Sequence, residues 1–422
     1  MRVPPELRDL WRDRAALGIL AASLVALLAA GFDPHVYGPM SPTVQAALRD
    51  RPQLQTVYLL VTVATAASFL IGGVVGDLGQ RRRLMLVGLA AMVTGQVLGL
   101  AEAGPVFVVG RLVASAGVGL VFPVGLAWVA ITYHGLARAT AIGIAYGAYG
   151  AGTGLAPILL NTVTPAVGPW PSFVLAAGLA GLALWIAWHR LPRADRLVTM
   201  SPAQVVSTIL WAYGLLAATA SIVAFGGGVT PLIRLLVFVS GVVALIIFVI
   251  LRRFVMAPAG EVGIHLRPVT VVLFAGVIIA LALTPPTLQA TAYFQLVSGF
   301  SPLVATLAAL PVTIALIAAG PVAGLLLLRL SPRVLIAGGL AAIGVGDLVI
   351  ALAAPGTSYL FFVLPFVAVG AGFVIGTTIR TALIFASVPR SLPATAAALN
   401  QTSIIIGSQL GITVVTAVVA RV

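Results

Sequence analysis

Long apolar runs recur along the whole chain, each closed by a short polar stretch or one rich in glycine and proline. A helix that crosses a bilayer needs about 20 mostly apolar residues. Thirteen runs approach or exceed that length, near residues 15–33 (extending toward 48), 55–76, 84–101, 105–131, 139–161, 172–189, 204–226, 231–251, 269–296, 302–328, 334–354, 358–386 and 395–420. The pattern predicts an all-α polytopic membrane protein. The first run follows a basic segment in the manner of a signal peptide, but twelve more runs come after it, so it reads as an uncleaved first helix. Thirteen is an odd number and leaves the two termini on opposite sides. The chain stops directly after an apolar run, so it is either truncated before a final span or lacks one.

Composition agrees with this picture. Of the 422 residues 61% are hydrophobic and 8% charged, against roughly a quarter charged in a water-soluble domain. Cysteine is absent, which excludes disulfides and thiolate metal sites. The four histidines, His35, His134, His189 and His265, have no ligand spacing. No metal or cofactor is expected. The sequence contains no nucleophile–base set and no phosphate loop, so an enzyme is not expected either.

Net charge is +13, and all 23 basic residues are arginine. They sit in short loops without interleaved aromatics, which argues against nucleic-acid binding and for membrane topology. With a cytoplasmic N-terminus, Arg2, Arg8, Arg12, Arg14, Arg81, Arg82, Arg83, Arg138, Arg190, Arg193, Arg196, Arg252, Arg253, Arg267, Arg329, Arg333 and Arg390 are cytoplasmic. Arg49, Arg51, Arg234 and Arg421 are outside, and Arg111 and Arg380 fall inside helices. That positive-inside bias predicts the orientation and would be scrambled by an error of one span.

The loop after the second run reads Gly73-Val-Val-Gly-Asp77-Leu-Gly-Gln-Arg81-Arg82-Arg83. Gly73 permits close helix approach, and Asp77 can face a helix N-terminus or an arginine. It resembles the signature loop of the major facilitator superfamily, Gly-x-x-x-Asp-x-x-Gly-Arg-Arg/Lys-Arg/Lys, with Gly79 one place early and Gln80 in the glycine slot. The pattern recurs 251 residues later at Gly324-Leu-Leu-Leu-Leu328-Arg329-Leu-Ser-Pro-Arg333, where Leu328 replaces the acid. Such a repeat marks two related bundles, and the lost acid suggests that this side of the gate is less tightly latched.

Other segments are similar to the superfamily's fourteen-span drug:proton antiporter branch, the multidrug exporter type. Asp33 and Pro42 keep that branch's Asp-to-Pro spacing in the first span. Arg111-Leu-Val-Ala-Ser115-Ala-Gly117-Val-Gly119 is similar to its Arg-x-x-Gln-Gly-x-Gly. Gly143, Gly147, Gly150 and Gly154 share one helix face ahead of Pro157, where the branch has its antiporter signature, although the glycines flanking that proline are lost. Phe294-Gln295-Leu-Val-Ser-Gly299-Phe-Ser301-Pro302, with Pro311 beyond, closely resembles Gln-x-x-x-Gly-x-Ser-Pro. Asn400-Gln401-Thr402-Ser403 is similar to the penultimate helix.

Proton coupling is expected at Asp33 and Arg111, facing one cavity where proton and substrate compete, with Asp347 as a second proton site. Each has a plainer alternative: helix capping for Asp33, snorkelling for Arg111 and a buried polar contact for Asp347. Gly73, Asp77, Arg81, Arg82, Gly324, Arg329 and Arg333 are expected to gate. Tyr37, Phe122, Tyr146, Tyr149, Phe294, Gln295, Arg380 and Asn400 are the candidate substrate-cavity residues, Arg380 having snorkelling or loop latching as its alternative. Gly143, Gly147, Gly150, Gly154 and Pro157 are expected to pack helices.

The expected architecture is a major facilitator fold. Residues 1–191 form an N-terminal six-helix bundle, 192–260 a linker with two additional spans, and 261–422 a C-terminal bundle without its last helix. The implied function is proton-coupled export of amphipathic or drug-like molecules by alternating access, in a bacterial inner membrane. The implied state is a monomer, with a membrane-protein partner as the variant. Two alternatives remain: a degenerate transporter serving as scaffold or partner subunit, and a carrier of lipids or anionic metabolites.

Overall fold

A computed structural model describes residues 13–37, 51–101, 104–168, 170–193, 231–254, 266–388 and 392–419, with isolated positions between 206 and 221. Among these the regular structure is helical, with no strand. In lipid, only helices and closed barrels satisfy every backbone polar group internally. The helices are α1 (Arg14–Phe32), α2 (Arg51–Val75), α3 (Arg81–Gly99), α4 (Gly104–Thr132), α5 (Gly135–Val167), α6 (Trp170–Arg190), α7 (Pro231–Phe254), α8 (Leu266–Leu296), α9 (Pro302–Ala308), α10 (Leu310–Leu326), α11 (Pro332–Ala351), α12 (Leu360–Ser387) and α13 (Pro393–Val419). A short 3-10 turn, Asp33–Tyr37, continues α1, and a π-turn, Gly76–Gln80, joins α2 to α3. Seven helical stretches among the described residues are long and apolar enough to cross a membrane.

Turn chemistry sets several boundaries. The π-turn contains Gly79 at φ +80°, a left-handed conformation that a side chain disfavours. The glycine that sits one place early in the sequence motif thus occupies the position where the backbone needs it. Gly299 (φ +69°) follows α8. Ser301 then caps α9 by accepting from Val304 N–H, with Pro302 in its first turn. Ser331 and Pro332 start α11 in the same way. The predicted run 302–328 is interrupted at Ala309, two residues before Pro311 in the first turn of α10, because proline lacks the N–H that would carry the helix on.

The helices pack in two groups. In the first, α3 and α2 lie against α4, and α1 lies against α4, α5 and α6. In the second, α8 packs on α13 and α12, while α12 also holds α10 and α11. Across the groups, α5 runs along α10, and α2 and α4 meet α13. Apolar side chains close part of this junction: Phe122, Leu126, Val129 and Tyr133 share one core with Val374, Ile384, Phe385 and Val388. The predicted run 204–226 lies largely outside the described residues. Tyr213, one of the isolated positions, bonds to Ser240 of α7 at 2.9 Å.

Candidate functional site

Asp33 and Arg111 come together. Arg111 Nη2 lies 2.8 Å from Asp33 Oδ2, and both side chains are about 1% exposed. Nη1 adds a longer bond to Oδ1, and Gln96 of α3 donates its amide to the same oxygen. Asp33 therefore accepts from a guanidinium and an amide, which is how a buried charge is held in a low-dielectric interior. Its side chain does not cap α1. The pair is buried where the end of α1 meets α3 and α4. Asp33 and Arg111 are expected to face a cavity shared by the bundles; the hydrogen bonds of Asp33 run to Gln96 and Arg111, both of the first helix group.

A second polar cluster spans the junction of the two groups. Asn400 Nδ2 donates to Tyr146 OH and to Thr381 Oγ1, each at 2.8 Å. Thr381 gives its own hydrogen to Thr377 C=O at 2.7 Å, so Tyr146 is the donor in its 3.1 Å bond to Thr381. Tyr146 belongs to α5, and Thr381 and Asn400 belong to α12 and α13. Arg380, completely buried, donates Nη1 to Ser403 Oγ at 2.8 Å, and Ser403 in turn donates to Asn400 C=O at 2.6 Å. An arginine at the middle of a membrane helix costs about 2.5–3.5 kcal/mol on insertion scales. Such a residue needs a polar setting, and these threonines, Asn400 and Ser403 supply it. Phe122 completes this side with edge-on contacts to Tyr149 at 5.0 Å and a tilted one to Tyr146 at 6.1 Å.

Two further contacts join the groups. Asp77 accepts the backbone N–H of Ala394 at 2.8 Å and of Thr395 at 2.7 Å, and Arg81 stands 3.6 Å from its Oδ1. A carboxylate here satisfies orphan N–H groups at the start of α13 and complements its dipole. Gly73 permits the approach, since a Cβ there would meet Ala398 Cβ at 2.6 Å. Along α5, Gly143 lies backbone to backbone with Gly320 of α10, Gly147 faces Ile317, Gly150 faces Leu316 and Gly154 faces Thr313. Gly324 abuts the Thr140 backbone, and beyond Pro157 the seam ends where Asn161 donates to Thr306 at 3.0 Å.

Other expected residues lie elsewhere. Phe294 is buried in an aromatic cluster within the second group, stacked on Phe300 at 5.5 Å and edge-on to Phe362 and Phe366. It does not join Tyr146 and Arg380, because the turn at Gly299 folds Phe300 back onto it. Gln295, the next residue in the last turn of α8, is exposed. Asp347 is half-buried on α11, which packs on α12 and α8, away from Asp33; its Oδ1 is enclosed without a partner. Arg329 and Arg333 are exposed beyond the end of α10. Arg82 turns away from Asp77, donating to Trp188 C=O at 2.9 Å with its guanidinium 5.1 Å above that ring. The Tyr37 side chain lies outside the described residues.

Sequence reasoning overlooked Gln96, Thr381 and Gly276, and quoted Ser403 without giving it a role. A glutamine midway along an apolar run and the Thr377-Thr378-Ile-Arg380-Thr381 string were the available signals. Gly276 had none, since only the fold sets it against Arg380.

The Major Facilitator Superfamily model matches residues 19–412. The chain is 28% identical to a tetracenomycin C resistance and export protein of Streptomyces glaucescens, covering 93% of this chain and 74% of that one. It is 25% identical to the multidrug efflux pump LfrA of Mycolicibacterium smegmatis (97% and 81% covered) and 28% identical to the puromycin resistance protein pur8 of Streptomyces alboniger (97% and 81%). Its fold is similar to the human organic anion transporter MFSD10, with a TM-score of 0.66 at 16% identity over 99% of this chain and 94% of that one. It is also similar to the POT family transporter PepTSo, with a TM-score of 0.63 at 15% identity over 95% and 90%.

Proposed function

The chain belongs to the major facilitator superfamily, a family of transporters rather than enzymes, and from that premise we propose that it is a proton-coupled exporter of amphipathic, drug-like molecules. Residues 1–191 and 261–422 are the two moving bundles, 192–260 carries the extra span pair, and the N-terminus is cytoplasmic in a bacterial inner membrane. The relatives named for antibiotic resistance and multidrug efflux support the cargo class.

The observation that carries the coupling is the buried Asp33–Arg111 pair with Gln96. A proton on Asp33 cancels one member of the pair and loosens the tie between α1 and α4. Because the pair sits inside the first bundle, coupling is indirect: proton and cargo occupy different places, and each favours one packing of the bundle. A proton shifts the balance only as far as it binds the two packings differently. Asp77 at the start of α13 is the latch of the closed end, and the α5–α10 glycine seam is the surface on which the bundles rock.

The test is movement of amphipathic dyes, neutral, anionic and cationic (ethidium), in proteoliposomes under an imposed pH gradient. Wild type concentrates at least one of them against its gradient, and Asp33→Asn leaves only downhill movement of that dye. Gradient-driven accumulation by Asp33→Asn at the wild-type rate would remove the coupling role. No movement by wild type of any amphipathic dye in a representative panel would remove the transport reading.

A further inference from the structure

We propose that Arg380 is the recognition point for a carboxylate carried on an apolar, aromatic body, an inference that rests on the transport reading above and names a cargo class for it. Arg380 is a completely buried cation, and among the described residues no carboxylate stands within ion-pair distance of it. Its guanidinium is used unevenly. Nη1 is tied to Ser403, whereas Nε and Nη2 are both buried without a hydrogen-bond partner. Those two nitrogens form the side-on fork of the group, whose parallel N–H bonds match the two oxygens of a carboxylate. A guanidinium serving only to brace helices would spend that fork on carbonyls or hydroxyls of its own chain.

The seat is built for the group. Gly276 of α8 lies against Arg380, and a Cβ there would collide with Nη1 and come within 2.6 Å of Ser403 Oγ. One turn before Arg380, the Thr377 hydroxyl is also buried and unpartnered. Across the junction, Tyr146, Phe122 and Tyr149 offer ring faces and edges, and the bonds of Tyr146 to Asn400 and to Thr381 tie the two sides together while the bundles are closed. When the bundles part, those bonds separate and the fork and the rings face the same opening. A single cation with one free fork fits a monoanion. A phosphate dianion would bring a second charge for which the described cluster has no second cation, and a cationic body would meet Arg380 with like charge.

The experiment uses the full chain purified in detergent and three probes with one ring system: naphthalene-1-carboxylate, naphthalen-1-ylmethylammonium and 1-naphthyl phosphate, titrated by calorimetry. The carboxylate binds wild type at least about tenfold more tightly than either other probe, and Arg380→Gln weakens it by about tenfold or more. Should Arg380→Gln not fold, Arg380→Lys carries the same test, because an ammonium keeps the charge but lacks the fork; its affinity falls several-fold. Preference for the ammonium or phosphate probe, or unchanged carboxylate affinity in the folded Arg380 variant, overturns the proposal. Ethidium and the carboxylate are also followed in proteoliposomes. Ethidium movement by a wild type that does not bind the carboxylate overturns the cargo class alone. Carboxylate binding without movement of either probe upholds the recognition site and overturns the transport reading.

Discussion

Oδ2 of Asp77 accepts the backbone N–H of Thr395 at 2.7 Å, across 318 residues of sequence and from one helix group to the other. With the matching bond from Ala394, this carboxylate joins the two groups at the end of the molecule that holds the α2–α3 turn. A bond to a charged acceptor contributes about 1.5–3 kcal/mol, so its loss shifts an open–closed balance by about tenfold or more. The chain has no cysteine, so Val388→Cys, placed in the cleft beside His134 and Phe385, reports opening by itself. In an Asp77→Ala background that thiol is expected to react with a water-soluble maleimide about tenfold faster. An equal rate in both backgrounds would show that Asp77 is no latch.

The Asp33–Arg111 pair predicts strong non-additivity. Removing one partner of a buried ion pair costs about 3–5 kcal/mol, since the other charge is left unpaired. Asp33→Asn and Arg111→Gln should each lower the unfolding temperature in detergent, while the double variant recovers much of the loss. Thermal scans of the four proteins check this, and simple addition of the two losses contradicts it.

Gly143 and Gly320 bring two backbones into contact, and a Cβ on either strikes the other's carbonyl. Gly320→Val should separate α10 from α5 at a cost of about 1–3 kcal/mol and slow transport. Gly178→Ala, where a Cβ meets nothing within 4 Å, is the matched control and should be neutral. Melting temperature and dye flux measured on both variants decide the point.

Phe294 and Gln295 are neighbours with opposite surroundings. Phe294→Ala empties the centre of an aromatic cluster and should cost about 3–5 kcal/mol. Gln295→Ala, on the exposed side of the same turn, should leave stability and flux unchanged. A loss of flux in Gln295→Ala with normal stability would return that residue to the cargo path.

Much was legible in the order of residues alone. Apolar run length sets helices in lipid because the backbone has no other way to satisfy its polar groups there, so the described helices follow the predicted runs. The turns at Gly79, Gly299, Ser301 and Ser331 are local, since each residue acts on its own backbone, but in the sequence these residues were read only as motif letters. A charge inside an apolar run announces a buried polar site, as Asp33, Arg111 and Arg380 did. What faces that charge depends on how helices from distant parts of the chain are rotated and stacked. Only the tertiary structure set Gln96 against Asp33, turned Phe294 into its own cluster, brought Tyr146 to Asn400 across 254 residues, and seated Arg380 on Gly276. Along a helix the period is fixed by the backbone, but between helices the partner is chosen by packing, and packing is a property of the whole bundle.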